Sequence, residues 1–187
     1  MDKPRRLLMQ TATEGLVLIL ALGLSLGACP RSFARNDDHG LLDQQQKKLY
    51  QEGKYQEAIP IAEKLLAIRE KELGPENPDT AKSLNNLAGL YVKMGDYAKA
   101  EPLYHQALQI RKKVLGEEHP DTATSLDDLA FLYDHIGDYA KAEPLCQQAL
   151  HIRKKVLGPE HPDTATSLNN LATLYHNMGD YAKAEPL

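Results

Sequence analysis

The chain has 187 residues, with 22 Lys and Arg against 26 Asp and Glu and a net charge of −4 at pH 7, so it has no basic field of the kind that attracts nucleic acid. Its two cysteines, Cys29 and Cys146, stand too far apart to make a disulfide framework. The chain is low in aromatics, with no Trp and two Phe, and without a disulfide framework its stability must come from apolar packing.

The first segment has the pattern of an export signal. Lys3, Arg5 and Arg6 precede an apolar run from Gly15 to Ala28, GLVLILALGLSLGA. A spanning helix needs about 20 residues, so this run fits the apolar region of a cleaved signal better than a permanent span. It ends in Leu26-Gly27-Ala28-Cys29, which resembles the bacterial lipoprotein signal, where cleavage precedes an acylated cysteine. That reading makes 1–28 a lipoprotein-type signal peptide, Cys29 the lipidation site and 29–40 a tether. The mature protein would then be an exported, membrane-anchored lipoprotein facing the periplasm or exterior, touching the membrane only through its signal or lipid. Two alternatives stay open. Ser32-Phe33-Ala34 offers an ordinary cleavage site that would release a soluble exported protein, and an uncleaved start would leave a free cysteine. Glu14, an acid just before the apolar run, is unusual for any of the three.

From Leu41 to Leu187 the chain repeats itself. NPDTAKSLNNLAGLYVKMGDYAKAEPL from Asn77 returns as HPDTATSLDDLAFLYDHIGDYAKAEPL from His119 and HPDTATSLNNLATLYHNMGDYAKAEPL from His161, a period of 42 residues. Such a period signals a solenoid. A more divergent copy precedes these, since Gly53, Tyr55, Ala58 and Pro60 fall one period before Gly95, Tyr97, Ala100 and Pro102. The units are 35–76, 77–118, 119–160 and an incomplete 161–187.

Each unit predicts two helices. Leu84, Leu87, Ala88, Tyr91 and Met94 recur at three- and four-residue steps, which places them on one face. Asp79 is the expected N-cap of this first helix, and Gly95 its end. Asp96 caps the second helix, whose apolar positions run from Tyr97 to Leu115, and Gly116 ends it. Ala88 and Ala100 are small enough for close approach. Pro102, Pro144 and Pro186 lie past the first turn of the second helices, where a proline removes a hydrogen bond, so a kink or loosened turn is expected there.

Leu84, Leu87, Ala88, Tyr91, Gly95, Tyr97, Ala100 and Ala107 match the tetratricopeptide repeat pattern without gaps. The long period, the LNNLA core and the IRKKVLG-x-E-HPDTA junction resemble its kinesin light chain variety. The resemblance implies an all-α, right-handed superhelical solenoid of antiparallel helix pairs. It also implies that the first helices line a concave groove which takes a protein or peptide partner. Bottom-up reasoning agrees: one hairpin cannot bury its own apolar face, so units must stack and create an extended surface.

The second and third units differ at twelve positions. Six of these fall at three- and four-residue steps on the first helix: Lys82/Thr124, Asn85/Asp127, Asn86/Asp128, Gly89/Phe131, Val92/Asp134 and Lys93/His135. They predict one stripe opposite the apolar face. The fourth unit varies along it too, with Asn169, Asn170, Thr173, His176 and Asn177. By contrast, Lys99, Glu101, Arg111, Lys112 and Lys113, read as equally exposed, hardly change between copies. The stripe is therefore the candidate peptide-binding surface. Asn86, Asp128 and Asn170 make a ladder of short polar groups, and the resemblance implies that Asn there holds a ligand main chain. Asp127, Asp128 and Asp134 make the third unit acidic, Lys82 and Lys93 make the second basic, and Phe131 adds an apolar patch. The expected ligand has a basic or N–H-rich centre, an apolar residue over Phe131 and an acidic end near the lysines.

Catalytic and metal signatures are missing from the sequence. The seven histidines show no zinc-site spacing. His119 and His161 sit in the junction turns, and His105 and His151 on second helices. Cys146 replaces Tyr104 at an apolar position and reads as a buried thiol. The IRKK runs read as solvated faces. No cofactor is expected and no enzymatic step. The sequence is read as an interaction scaffold. The alternative is a recognition module of a larger enzyme or signalling protein, for example one with a caspase-like protease domain.

Overall fold

The structure is a computed structural model that describes residues 30–186, with side chains from His39 onward. The signal read over 1–28 and the acylation assigned to Cys29 lie outside the described residues. The chain divides into two units between Leu41 and Leu42, and the repeat array occupies the second. Helix α1 spans Pro30–Gln51, so the stretch expected as a tether is helical from Pro30 onward. Pro30 opens that helix, where a missing N–H is harmless.

The array continues as α2 (Tyr55–Leu73), α3 (Pro78–Lys93), α4 (Tyr97–Leu115), α5 (Pro120–Ile136), α6 (Tyr139–Leu157), α7 (Pro162–Met178) and α8 (Tyr181–Ala184). From α2 onward each helix packs on the next, and α3, α5 and α7 also touch in succession. The core is largely aliphatic, with Leu84, Leu90, Leu126, Leu129, Leu132 and Leu174 buried, and it also takes in Tyr104, Tyr133 and Tyr175. Ala81, Ala88, Ala100, Ala107, Ala123 and Ala142 have almost no exposed surface, which is what brings adjacent helices close together.

The helix starts correct one expectation. Asn77, not Asp79, caps α3: its side-chain oxygen accepts the Asp79 N–H at 2.8 Å. Asn77 is extended (φ −81, ψ 141), which aims its side chain back at the first turn, and Pro78 presets the first helical φ. Asp79 sits inside that turn, where its charge suits the helix dipole. His119 and His161 cap α5 and α7 in the same way, their Nδ1 atoms accepting from Asp121 and Asp163 N–H at 3.1 Å. Asp96 caps α4 as expected, accepting from Lys99 N–H.

Gly116 at φ 97 and Gly95 at φ 76 hold the reversals that end the helices, in a region where a side chain would be strained. Thr80, Thr122 and Thr164 each donate a hydroxyl hydrogen bond to the carbonyl of the preceding turn glycine, Gly74, Gly116 and Gly158, at 2.8–2.9 Å. Despite Pro102 and Pro144, α4 and α6 run unbroken for 19 residues each.

Candidate functional site

A concavity of about 800 Å³ runs along the successive first helices of the repeats. It is lined by Gln46, Lys47, Tyr50 and Gln51 of α1, and by Lys82, Asn85, Asn86, Gly89 and Lys93 of α3. From α5 come Asp127, Asp128, Phe131, Asp134 and His135, and from α7 Asn169, Asn170, Thr173 and Asn177. Ala130, Leu174, Tyr104 and Cys146 supply much of its apolar floor. Fourteen of the sixteen candidate residues thus face one space.

Val92 and His176 do not. Val92 is buried in the core at 3% exposure, because its apolar side chain turns inward where Asp134 and His176 stay at the surface. His176 lies on a smaller concavity with Ala172, Tyr181 and Ala184, its ring 5.4 Å from that of Tyr181. The variable positions are therefore not all opposite the apolar face. Asn85 and Asp127 are themselves buried, at 7% and 8% exposure.

The junctions they sit in hold a feature the sequence reading placed in solvent. Arg69, Arg111 and Arg153 are 5–6% exposed, so the arginines of both IRKK runs, Arg111 and Arg153, are not solvated. Each comes from a second helix and reaches into the junction with the next unit. Arg69 donates to Ser83 at 2.7 Å and to Asp43 at 2.5 Å. Arg153 donates to Ser167 and to Asp127, both at 2.5 Å. Arg111 donates to Ser125 and to the Asp121 carbonyl, both at 2.9 Å, but touches no carboxylate among the described residues. The reason is that Asn85 stands where Asp43 and Asp127 stand in the flanking units. Asn85 instead donates to Ser125 at 3.2 Å and to Asp128 at 2.6 Å.

The acid has therefore crossed the junction. Residues 43 positions apart meet at Asn85/Asp128 and Asp127/Asn170, and these pairs, like Asp43/Asn86 at the same offset, each combine one acid with one amide. Asn170 also hydrogen-bonds Asp127. Every junction keeps one Arg and one Asp, as a buried guanidinium requires. Part of the variation between copies is thus a compensated exchange. The signal that could have revealed it was the pairing of acid with amide at a 43-residue offset.

The unchanging residues also have structural causes. Tyr133 donates to Glu101 at 2.8 Å and Tyr175 to Glu143 at 2.9 Å. Lys99, Lys141 and Lys183 lie over the rings of Tyr91, Tyr133 and Tyr175, 4.8–5.2 Å from the centroids. Lys113 pairs with Glu76 and Lys155 with Glu118. The constancy of Lys99, Glu101, Arg111 and Lys113 reflects these contacts, so it does not measure drift on a free surface.

The centre of the concavity pairs large with small side chains. A Cβ built at Gly89 would stand 3.5 Å from the Tyr104 hydroxyl, an ordinary contact, so a methyl fits there and only a larger side chain would crowd that ring. In the next unit Phe131 replaces Gly89 and Cys146 replaces Tyr104. Cys146 is buried, and burial pushes its thiol up to about 12, the range of an inert packing group. Phe131 stays 40% exposed, stacks against His135 at 4.1 Å between centroids, and carries Lys93 Nζ 5.3 Å from its own.

Charge divides along the concavity. Asp127 is neutralised by Arg153. Asp134 accepts from Asn177 at 2.9 and 3.1 Å, a neutral partner that leaves its charge in place. Burial pushes the Asp128 carboxyl up to about 7, against the pull of Arg111. Lys47, Lys82 and Lys93 have no carboxylate within ion-pair distance among the described residues. The α1 and α3 side is cationic and the α5 side anionic.

The family model for the tetratricopeptide repeat matches residues 49–113, 83–150 and 130–187. Among solved structures, BtubC (BKLC) from P. vanneervenii is 27% identical with a TM-score of 0.69, covering 79% of this chain and 59% of its own. A Podosopora anserina kinesin light chain with nearly identical TPR-like repeats is 33% identical with a TM-score of 0.67, covering 80% of this chain and 69% of its own. The apo form of RapI, at 20% identity and a TM-score of 0.64, shares the fold and covers 40% of its own length. This chain thus spans about three fifths of BtubC. No curated protein matches it.

Proposed function

We propose that this chain, which belongs to the tetratricopeptide repeat family, is a scaffold that binds a segment of a partner polypeptide along the concavity of its first helices. The observation that carries this reading is the convergence of fourteen differing residues on one lined space. A volume of about 800 Å³ would by itself suit a small molecule. Its spread over α1, α3, α5 and α7 favours an extended ligand that meets several units at once.

In this reading Asn86 and Asn170 hold the ligand main chain, since an amide both donates and accepts. Phe131 supplies the apolar contact. Asn85 and Asp127 act from beneath, by fixing the junctions. The scaffold performs no chemical step of its own. We further propose export through the amino-terminal signal, with acylated Cys29 as the anchor.

A displayed library of random peptides tests the binding surface. Clones enriched on the intact chain should lose binding to a variant carrying Asn86→Ala, Phe131→Ala and Asn170→Ala, with its helical content unchanged. Clones that bind this variant as well as the parent would end the reading.

A further inference from the structure

We infer that the groove takes a charge-polarised polypeptide segment, with a cationic side chain seated on Phe131 between Asp128 and Asp134 and a carboxylate-bearing stretch lying on Lys47 and Lys82. This rests on the groove being the ligand surface, and it adds the chemistry and the lengthwise charge order of the ligand.

The cationic seat is built on α5. Asp128, Phe131 and Asp134 follow at three-residue steps, and all three line the concavity. Phe131 presents an exposed ring there, and that ring already holds an ammonium: Lys93 Nζ sits 5.3 Å from its centroid. The negative face of an aromatic ring attracts a cation, and Asp134 adds a full charge to the same spot, with Asp128, already engaged by Asn85 and Arg111, a weaker second contributor. Among the described residues Asp134 is bonded only to the neutral amide of Asn177, so its charge is available. Lys93 is a long, exposed side chain with no carboxylate of its own among the described residues. It occupies the seat in the unliganded chain and can swing away when a ligand ammonium or guanidinium arrives.

The opposite wall carries the complementary charge. Lys47 and Lys82 are exposed on the same concavity and likewise lack an acidic neighbour among the described residues. A uniformly acidic segment would meet Asp128 and Asp134, and a uniformly basic one would meet the two lysines. Only a ligand whose charge changes sign along its length satisfies both walls, and like-charge contact penalises the others.

Synthetic peptides of roughly 12 residues, long enough at about 3.3 Å per residue to cross several helices, test this. Three share one composition: an acidic half before a basic half, the reverse order, and the two charges alternating. A fourth is uniformly acidic. One of the two split orders should bind at least about tenfold tighter than the alternating peptide. Asp134→Lys and Lys82→Glu should each remove that preference while circular dichroism stays unchanged. Equal affinities for split and alternating peptides, or tightest binding of the uniformly acidic one, would overturn the inference. If none of the four binds while random-library clones do, this inference fails and the groove reading survives. If neither set binds, both fail.

Discussion

Asn85 donates to Asp128 at 2.6 Å across the boundary between the second and third units, which brings a buried amide to the carboxylate that serves the neighbouring Arg111. In the flanking junctions Arg69 and Arg153 contact their acids, Asp43 and Asp127, directly at 2.5 Å. The central junction holds the same groups in a different order. Exchanging them, with Asn85→Asp and Asp128→Asn together, should give Arg111 a direct ion pair and leave the protein at least as stable as the parent. Each single change should be destabilising, so the double should cost less than the sum of the two: Asn85→Asp puts two acids beside one Arg, and Asp128→Asn leaves a buried Arg without any. A double-mutant cycle in urea should show a coupling of about 0.5–3 kcal/mol. A coupling near zero would refute the charge-balance argument.

The Asp128 carboxyl also sets a pH dependence. Its ordinary value is 3.8, and burial raises it in the folded state to about 7. Between these values the folded chain binds the proton more tightly than the unfolded chain does. This group therefore favours folding most below about pH 4, and that contribution falls away as pH rises to about 7. The stability difference between the parent and Asp128→Asn should shift toward the variant over that window and level off above it. Thermal melts at a series of pH values check this, and a difference constant from pH 4 to 8 would contradict it.

Helix starts give a simpler test. His119 caps α5 through Nδ1 as Asn77 caps α3 through its amide oxygen. His119→Asn should therefore leave stability almost unchanged, whereas His119→Ala should cost about 1 kcal/mol. Equal losses for both would mean that the imidazole contributes something other than the cap.

The size exchange at the floor of the groove should be coupled. Cys146→Tyr restores the residue of the preceding unit, but the bulky Phe131 now stands where that unit has Gly89 beside the Tyr104 hydroxyl. The single substitution should overpack and cost about 1–3 kcal/mol. Adding Phe131→Gly should recover most of that loss. Denaturant unfolding of the three variants decides it, and a Cys146→Tyr protein as stable as the parent would exclude the pairing.

The helix pairs were legible because their apolar spacing and turn glycines act locally: Leu84, Leu87 and Ala88 share a face whatever lies beyond it. The concavity was legible for a related reason, since Lys82, Asn86, Gly89 and Lys93 vary between copies while most of the core, Tyr104 and Val92 apart, does not. The burial of Arg111 was not legible, because Arg beside Lys112 and Lys113 looks like one solvated run. Only the next unit, by supplying Ser125, turns that side chain inward. Asn85 and Asp127 were misread for the same reason. A position that changes between copies looks free until its compensating neighbour, 43 residues on, is seen beside it. Val92 and His176 show the limit of equating repeat positions, because an apolar residue and a polar one at equivalent sites need not face the same way.

The arginine junctions have one more consequence. The backbone repeats every unit, but Asp43, Asn85, Asp127 and Asn169 alternate, so the electrostatic pattern repeats only every second unit. Excising residues 77–118 would set Asp43 against Asp128. Excising 119–160 would set Asn85 against Asn170 and strand Arg111. Removing both together restores an acid and an amide at the seam. Recombination within such a gene would conserve a sound protein only when hairpins are gained or lost in twos, which makes the heritable module twice the size of the architectural one.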